Sequence, residues 1–350
     1  MFSSQSKNNQ ELHMKKNILV TGGLGYIGSH TVVALQEQNV NVIVVDNLSN
    51  SIKEVARRIT TITGIPVKLH IVDITDALAL DAVFQQEAID GVIHFAAHKA
   101  VGESVRQPFK YYRNNIDGMI TLQQVMQQNN VKTMVFSSSC TVYGDTKHSP
   151  IDETHPVTEA ISPYGTTKLV CEQILKDLCK HGGFKGVILR YFNPVGAHPS
   201  ACIGELPLGV PDNLVPYITQ TAAGIREKLT VFGNDYNTPD GTNIRDYIHV
   251  VDLAKAHVKA LDFAFGMQQN CEVFNLGAGK GYSVLDVIKA FEKVSGKELA
   301  YVIGARRIGD VEQIWADPSK AEQLLNWTCQ HDLNDMMETA WKWQMALTGC

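Results

Sequence analysis

The residues of this chain best suited to chemistry are a tyrosine and a lysine four positions apart, in Ser162-Pro-Tyr-Gly-Thr-Thr-Lys168. On a helix, positions i and i+4 share a face. A free tyrosine titrates near pH ~10 and is a poor base at neutral pH. A lysine ammonium beside it favours the phenolate, which makes Tyr164 a candidate base and Lys168 its activator. Ser137-Ser-Ser139 lies upstream. Its last hydroxyl, Ser139, is the candidate to hydrogen-bond a substrate oxygen and relay the proton.

A base of this kind needs a hydride acceptor. Thr21-Gly-Gly-Leu-Gly-Tyr-Ile-Gly28 follows a short apolar run, Asn17 to Val20, and opens a helical pattern. Gly22, Gly25 and Gly28 are spaced so that the backbone turns tightly, approaches a pyrophosphate and packs helix on strand. The helix N-terminus adds free N–H groups and positive potential. Asp46 ends the second apolar run, 18 residues past Gly28. A carboxylate there accepts hydrogen bonds from ribose hydroxyls and repels a 2′-phosphate, so the expected cofactor is NAD rather than NADP. Asp73, after the third apolar run, is a candidate adenine contact or a plain turn residue.

The elements that must hold these groups alternate. Buried strands are expected at 17–20, 42–45, 67–72, 92–95, 133–136 and 187–192. Helices are expected at about 76–88, 104–129 and 163–181 between them. That alternation predicts an α/β Rossmann fold, a doubly wound parallel sheet with its ligand at the carboxyl ends of the strands. Residues 194–213 are rich in Gly and Pro and lead to further helices at about 213–227, 251–265, 284–295, 318–325 and 332–346. Asp317 as N-cap and Pro318 as first helical residue start one of them. The organisation expected is a flexible extension over 1–14 and an NAD-binding domain over 15–192, with a returning segment near 245–275. A smaller C-terminal α/β substrate domain spans 193–346.

The 350 residues are 44% hydrophobic and carry a formal net charge of −5. No basic surplus suits nucleic acid. No apolar run approaches the ~18 residues of a membrane span, and the start lacks a signal-peptide core. Seven cysteines without a Cys-x-x-Cys pair suggest neither a disulfide framework nor a metal site. A reducing, cytoplasmic setting fits best.

The glycine turn, Ser-Ser-Ser-Cys-Thr-Val-Tyr-Gly at 137–144 and the Tyr-x-x-x-Lys pair resemble the extended short-chain dehydrogenase/reductase family. The resemblance is closest to its branch that epimerises UDP-sugars at C4. It extends through His94 to Ser104, Arg190 to Pro199, Arg245 to Val250, Asn275 to Gly279 and Trp315 to Asp317, covering about 15–345. It implies NAD contacts at Tyr26, Ile27, Asp46, Asn47, Leu48, Ser49, Asn50, Ser51, Asp73 and Ile74. Phe95, Ala96, Ala97, His98 and Lys99 would join them, with Lys99 paired to a phosphate, and Asn114 and Phe192 would line the same pocket. For the UDP-sugar it implies Asn193, Asn213, Leu214, Thr230, Val231, Phe232, Arg245 and Arg307 to Asp310. The two arginines suit a pyrophosphate, which a guanidinium binds bidentately.

What the resemblance implies is reversible epimerisation of UDP-galactose and UDP-glucose through a 4-keto sugar, with NAD regenerated each cycle, by a homodimer paired through the helices near 104–129 and 162–181. Two rivals are a nucleotide-sugar 4,6-dehydratase and a non-catalytic NAD sensor. Dehydration needs an acid and base beyond the first oxidation, and Cys140-Thr141 stand where related dehydratases carry Asp-Glu. A sensor would not need both Tyr164 and Lys168. Ile314 falls where the family has a residue on the sugar-pocket wall. Its intermediate size predicts good activity on UDP-galactose and weak activity on UDP-N-acetylgalactosamine.

Overall fold

The structure, a computed structural model, describes residues 16–146, 148–157, 159–307 and 310–349. The extension over 1–14, and Ile308 and Gly309 of the expected sugar-binding loop, lie outside the described residues.

The strands are β1 (Asn17–Thr21), β2 (Asn41–Val45), β3 (Lys68–His70), β4 (Gly91–His94), β5 (Thr133–Ser139), β6 (Lys185–Tyr191), β7 (Asn193–Val195), β8 (Leu229–Phe232), β9 (Ile244–His249), β10 (Cys271–Leu276), β11 (Gly281–Ser283), β12 (Tyr301–Gly304) and β13 (Gln313–Ile314). The main sheet runs β10-β6-β5-β4-β1-β2-β3, with every neighbour parallel. This is the doubly wound order, and the chain reverses direction across the sheet between β1 and β4.

Alternation along each strand feeds two cores. Ile18 and Val20 of β1 face one side, where α1 (Tyr26–Glu37), α2 (Glu54–Thr63) and the later helix α9 (Val250–Gly266) pack. Leu19 between them faces the other side, against α3 (Ala77–Gln86), α6 (Gly118–Gln128) and α7 (Pro163–His181). Successive strand residues point to opposite faces, so a run such as Ile-Leu-Val is apolar throughout because both faces are covered. The segment after β9 thus returns to the first domain: α9 covers its sheet and β10 pairs with β6.

The C-terminal part has its own core. Val215 and Ile218 of α8 (Leu214–Ala222), Val287, Ile288 and Phe291 of α10 (Val284–Ser295), and Met336 and Met337 of α12 (Leu333–Thr348) pack with Val195, Val231 and Tyr247. There β9 is the hub, pairing with β7, β11 and β13, while β8 pairs with β12.

Three sequence expectations need correction. The helix expected over 104–129 is broken into α4 (Val101–Arg106), α5 (Pro108–Tyr111), a wider π turn at Tyr112–Asp117 and α6. Gln107 has φ −133 and ψ 58 because the proline after it disfavours the helical region. Pro318 is the N-cap, not the first helical residue, of α11 (Ser319–Leu325), and Asp317 instead accepts the Ser319 N–H at 3.0 Å. The helix expected over 213–227 ends at Ala222, two residues before Gly224 turns left-handed at φ +74.

Candidate active site

Strand β1 delivers the chain into the glycine turn at the switch point. A Cβ on Gly22, whose φ is +67, would lie 2.8 Å from the Ala96 nitrogen beyond β4. A Cβ on Gly28 would lie 2.2 Å from the Gly22 carbonyl oxygen. Neither gap admits a side chain, so α1 is drawn against the turn. Its N-cap is Gly25, with no side chain closing the first N–H groups and no acidic residue in its first turn. The helix end therefore keeps donors and positive potential suited to a pyrophosphate.

Asp46 ends β2 beside this turn and is 6% exposed. One carboxylate oxygen accepts the Leu24 N–H at 3.0 Å; the other accepts the Leu48 N–H at 2.9 Å and the Ser51 hydroxyl at 2.8 Å. Three donors leave accepting capacity on a carboxylate for a ribose hydroxyl. Asn47 reaches Asp73 at 2.8 Å, joining the loops after β2 and β3. Burial raises the Asp73 carboxyl, but hydrogen bonds from Thr75 and Asn47 outweigh it and hold the group below its ordinary value. An uncapped helix end, glycines where no Cβ fits and a held carboxylate at the second strand fit a dinucleotide.

The stretch Phe95 to Lys99 lies over the same turn. The Phe95 N–H bonds to the Thr21 carbonyl at 3.0 Å, and its ring packs 4.6 Å from His257. Asn115 clamps the stretch by accepting from the His98 N–H at 2.9 Å and donating to the His98 carbonyl at 3.0 Å. The sequence singled out Asn114; its buried neighbour Asn115, to which Asn114 donates at 2.9 Å, makes this clamp. Lys99, expected on a phosphate, is paired here with Glu205 at 3.0 Å. The same Glu205 oxygen accepts from Asn213 at 2.6 Å, so one unpredicted carboxylate spans a cofactor candidate and a substrate candidate.

Across the sheet, α7 starts on a Ser162 N-cap that accepts the Gly165 N–H, with Pro163 in the first turn. Tyr164 and Lys168 occupy one face over the end of β5, both buried. Lys168 Nζ donates to the Ser137 carbonyl at 2.6 Å and sits 5.9 Å from the centre of the Tyr164 ring. Burial lowers the lysine to about 8, although Cys171 and Glu172 oppose this. Burial raises the Tyr164 hydroxyl above the usual tyrosine range; a hydrogen bond from Ser139 acts against that, and Cys140 adds to it. Ser139 is thus brought to Tyr164, while its oxygen also accepts from the Thr141 N–H and hydroxyl at 3.2 and 3.1 Å. Tyr191, which the sequence did not single out, lies below this group with its hydroxyl against Ser137 Oγ.

The substrate candidates divide into groups around this centre. Phe192 and Ile314 share a small apolar cluster with Val142, Tyr143, Ile151 and Ala316, bordered by Cys140 and Leu169. Ile314 is paired in register with Arg245, which puts the pocket-wall candidate beside the guanidinium candidate. Arg245 and Arg307 converge on Asp310, at 4.0 and 2.8 Å, and the Arg307 guanidinium lies 5.6 Å from the Phe232 ring. Thr230, Val231 and Phe232 form β8, while Asn193 pairs with Tyr247 in the β7–β9 ladder. Asn213 is the N-cap and Leu214 the first residue of α8. The field of Arg245 reaches Cys140, and that of Cys140 reaches Tyr164, so the guanidinium and phenol sides are electrostatically adjacent.

Asp246, also unpredicted, holds the frame of this half. It accepts backbone N–H groups from Ala278, Gly279 and Ala316 at 2.8, 3.2 and 3.0 Å. Among the described residues, no cluster of His, Cys, Asp and Glu could hold a metal ion, and no helix is long and apolar enough to cross a membrane.

A nucleotide-binding doubly wound sheet with a Tyr–Lys–Ser centre at the end of β5 defines an NAD-linked oxidoreductive class, and the chain belongs to the NAD dependent epimerase/dehydratase family, whose model matches residues 18–277. It is 54% identical over 328 residues to the UDP-glucose 4-epimerase of Dictyostelium discoideum, covering 93% of this chain and 95% of that one. With the UDP-glucose 4-epimerase of Bacillus subtilis it shares 52% over 328 residues, covering 93% and 96%. A solved UDP-glucose 4-epimerase from Stenotrophomonas maltophila, with bound NAD and formylated UDP-arabinopyranose, superimposes with a TM-score of 0.93 at 50% identity, covering 95% of this chain and 99% of that one. The Bifidobacterium longum enzyme in complex with NAD+ and UDP gives 0.91 at 48%, covering 95% and 98%.

Proposed function

We propose that this protein interconverts UDP-galactose and UDP-glucose by epimerising C4 of the sugar. The observation that carries the proposal is the buried Tyr164–Ser139–Lys168 group at the carboxyl end of β5, in a chain about half identical to UDP-glucose 4-epimerases. NAD, held by the glycine turn, would supply reversible hydride acceptance at C4, so that no net oxidation results.

The chain's own residues hold, orient and move a proton. The glycine turn and the end of α1 would hold the pyrophosphate, and Asp46 the adenosine ribose. Arg245 and Arg307 bind the diphosphate of the UDP-sugar, with Phe232 beside them. Tyr164 takes the proton of the O4 hydroxyl, directly or through Ser139, and gives it back from the same position once the 4-keto sugar has turned its other face. A tyrosine hydroxyl is already protonated at neutral pH and burial holds Tyr164 further from ionising, so this step needs positive charge close to it. The Lys168 ammonium, on the same face of α7, supplies that charge from the chain's own residues.

The dehydratase reading is disfavoured here, because Cys140 follows Ser139 and burial raises its thiol to about 12, so it offers no acid or base of the required strength. The proposed assembly is a homodimer. Val105 and Phe109 expose apolar surface on α4 and α5, Phe109 to 81%, and these helices flank α7 as a pairing face. Sedimentation at micromolar concentration tests it: a monomer contradicts it. The proposed setting is the cytosol, tested by cell fractionation. The catalytic proposal is tested by Tyr164→Phe, which should abolish most turnover while NAD stays bound.

A further inference from the structure

A glutamate one turn beyond Lys168 on the same face of α7 is tied to β5 and β6, the strands beside the reactive group. Glu172 is 1% exposed. One oxygen accepts the Ser138 hydroxyl at 2.6 Å and Arg190 Nε at 2.9 Å; the other accepts Arg190 Nη2 at 2.6 Å and Lys176 at 3.1 Å. Ser138 sits on β5 between the residue whose carbonyl holds Lys168 and the residue that bonds to Tyr164. Arg190 sits on β6 and passes the tie onward, donating to the Tyr143 hydroxyl at 3.0 Å, which donates to Asn275 at 2.7 Å.

We propose that Glu172 is a positioning residue of the reaction: by binding Ser138 and Arg190 together it fixes α7 against β5 and β6, and so sets where Lys168 and Tyr164 stand relative to Ser137 and Ser139. The inference rests on the proposed epimerisation, in which those four residues act. A bidentate, fully desolvated guanidinium–carboxylate pair is costly to bury, and a hydrophobic pair of the same volume would hold the fold as well. What such a pair adds is direction and charge. The carboxylate is a full charge one turn from an ammonium that has lost its water, and after Cys171 it raises the lysine against the lowering by burial.

The groups facing Lys168 are Tyr164, Cys171 and Glu172 on α7, His94 on β4, and the Phe136 ring and Ser137 carbonyl on β5; on β6, Arg190 lies on Glu172 and Tyr191 on the Ser137 hydroxyl. The remaining elements against α7 bring Glu103 and Arg106 (α4), Lys110 and Tyr111 (α5), Arg113 and Asp117 (the π turn), Cys140 and Tyr143, and Cys271 and Glu272 (β10). Glu172 is the full negative charge within this inner set.

The test compares Glu172→Gln with the unchanged chain, measuring kcat and KM for UDP-galactose across pH, bound NAD per chain and the thermal midpoint. The expected result is a fall of about tenfold or more in kcat with KM within about twofold. NAD content is retained, and the alkaline limb of the pH profile moves down by about one pH unit, because the lysine loses its counter-charge. A variant that is merely less heat-stable, with the kcat and pH profile of the unchanged chain, overturns the proposal. Should the lone Arg190 charge prevent folding, Glu172→Met with Arg190→Met removes both charges, whose effects on the lysine oppose, so the alkaline limb should stay near its place while kcat still falls about tenfold through lost positioning; an unchanged kcat overturns the proposal equally. An unchanged chain that fails to convert UDP-galactose would instead overturn the epimerase proposal, whatever the variants do.

Discussion

Lys168 Nζ is anchored on the carbonyl oxygen of Ser137, at 2.6 Å, two residues before the serine that hydrogen-bonds Tyr164. The end of β5 therefore carries both partners of the proposed base: a carbonyl that places the ammonium and a hydroxyl that meets the phenol.

Replacing Lys168 with Met should lower kcat by ~10²–10⁴, the usual range for losing a general-base function, with a smaller effect on KM. The unchanged enzyme should lose activity above pH about 8, where the buried lysine gives up its charge. Initial rates from pH 6 to 10 check this; a profile flat through the alkaline range would contradict it.

Gly28→Ala places a methyl 2.2 Å from the Gly22 carbonyl oxygen, and backbone must move to admit it. The expected cost is about 1–3 kcal/mol of stability, as for overpacking a core, with loss of bound NAD. The cofactor absorbance of the purified variant and its thermal midpoint are the readouts. NAD retained at one per chain would show that the turn does not hold it.

His30, His94 and His257 are fully enclosed, and burial lowers them to about 3, about 3 and about 4. An unfolded histidine titrates near ~6.5, so between that value and ~4 the unfolded chain binds more protons than the folded one. Their contribution is whole above ~6.5 and drains away as pH falls through that window. Urea midpoints at pH 7.5 and 5 should therefore differ, the lower one at pH 5; equal midpoints would contradict the assignment.

Ile314 lies in the apolar cluster with Phe192, in register with Arg245. Its side chain should leave room for the C2 hydroxyl of UDP-galactose and resist a 2-acetamido group. Ile314→Gly should raise the rate on UDP-N-acetylgalactosamine relative to UDP-galactose by about tenfold, the scale of one missing apolar contact. Comparable rates on both sugars in the unchanged enzyme would refute the role of Ile314.

The parts legible in the sequence were those fixed by local chemistry. The glycine turn, Asp46 and the Tyr-x-x-x-Lys pair each carry a spacing that only one backbone geometry satisfies, and the strands announce themselves as apolar runs because both faces of the sheet are covered. What stayed hidden depends on distant partners. Glu172 is visible as i+4 from Lys168, but its worth comes from Arg190 and Ser138 on two other strands. Glu205 gives no local signal at all, since its meaning is set by Lys99, 106 residues away. The broken helix at 107–117 was masked for another reason: Pro108 stands inside a continuous periodic pattern, and the chain ends α4 just before it, then resumes with a short helix and a wider turn.

The most direct measurement is to incubate the purified protein with UDP-galactose, adding no NAD, and to follow the sugar nucleotides by chromatography beside a Tyr164→Phe control. The account predicts UDP-glucose as the product, no net change in cofactor redox state, and little conversion by the control. A 4-keto-6-deoxy product, or no conversion even with NAD supplied, would contradict it.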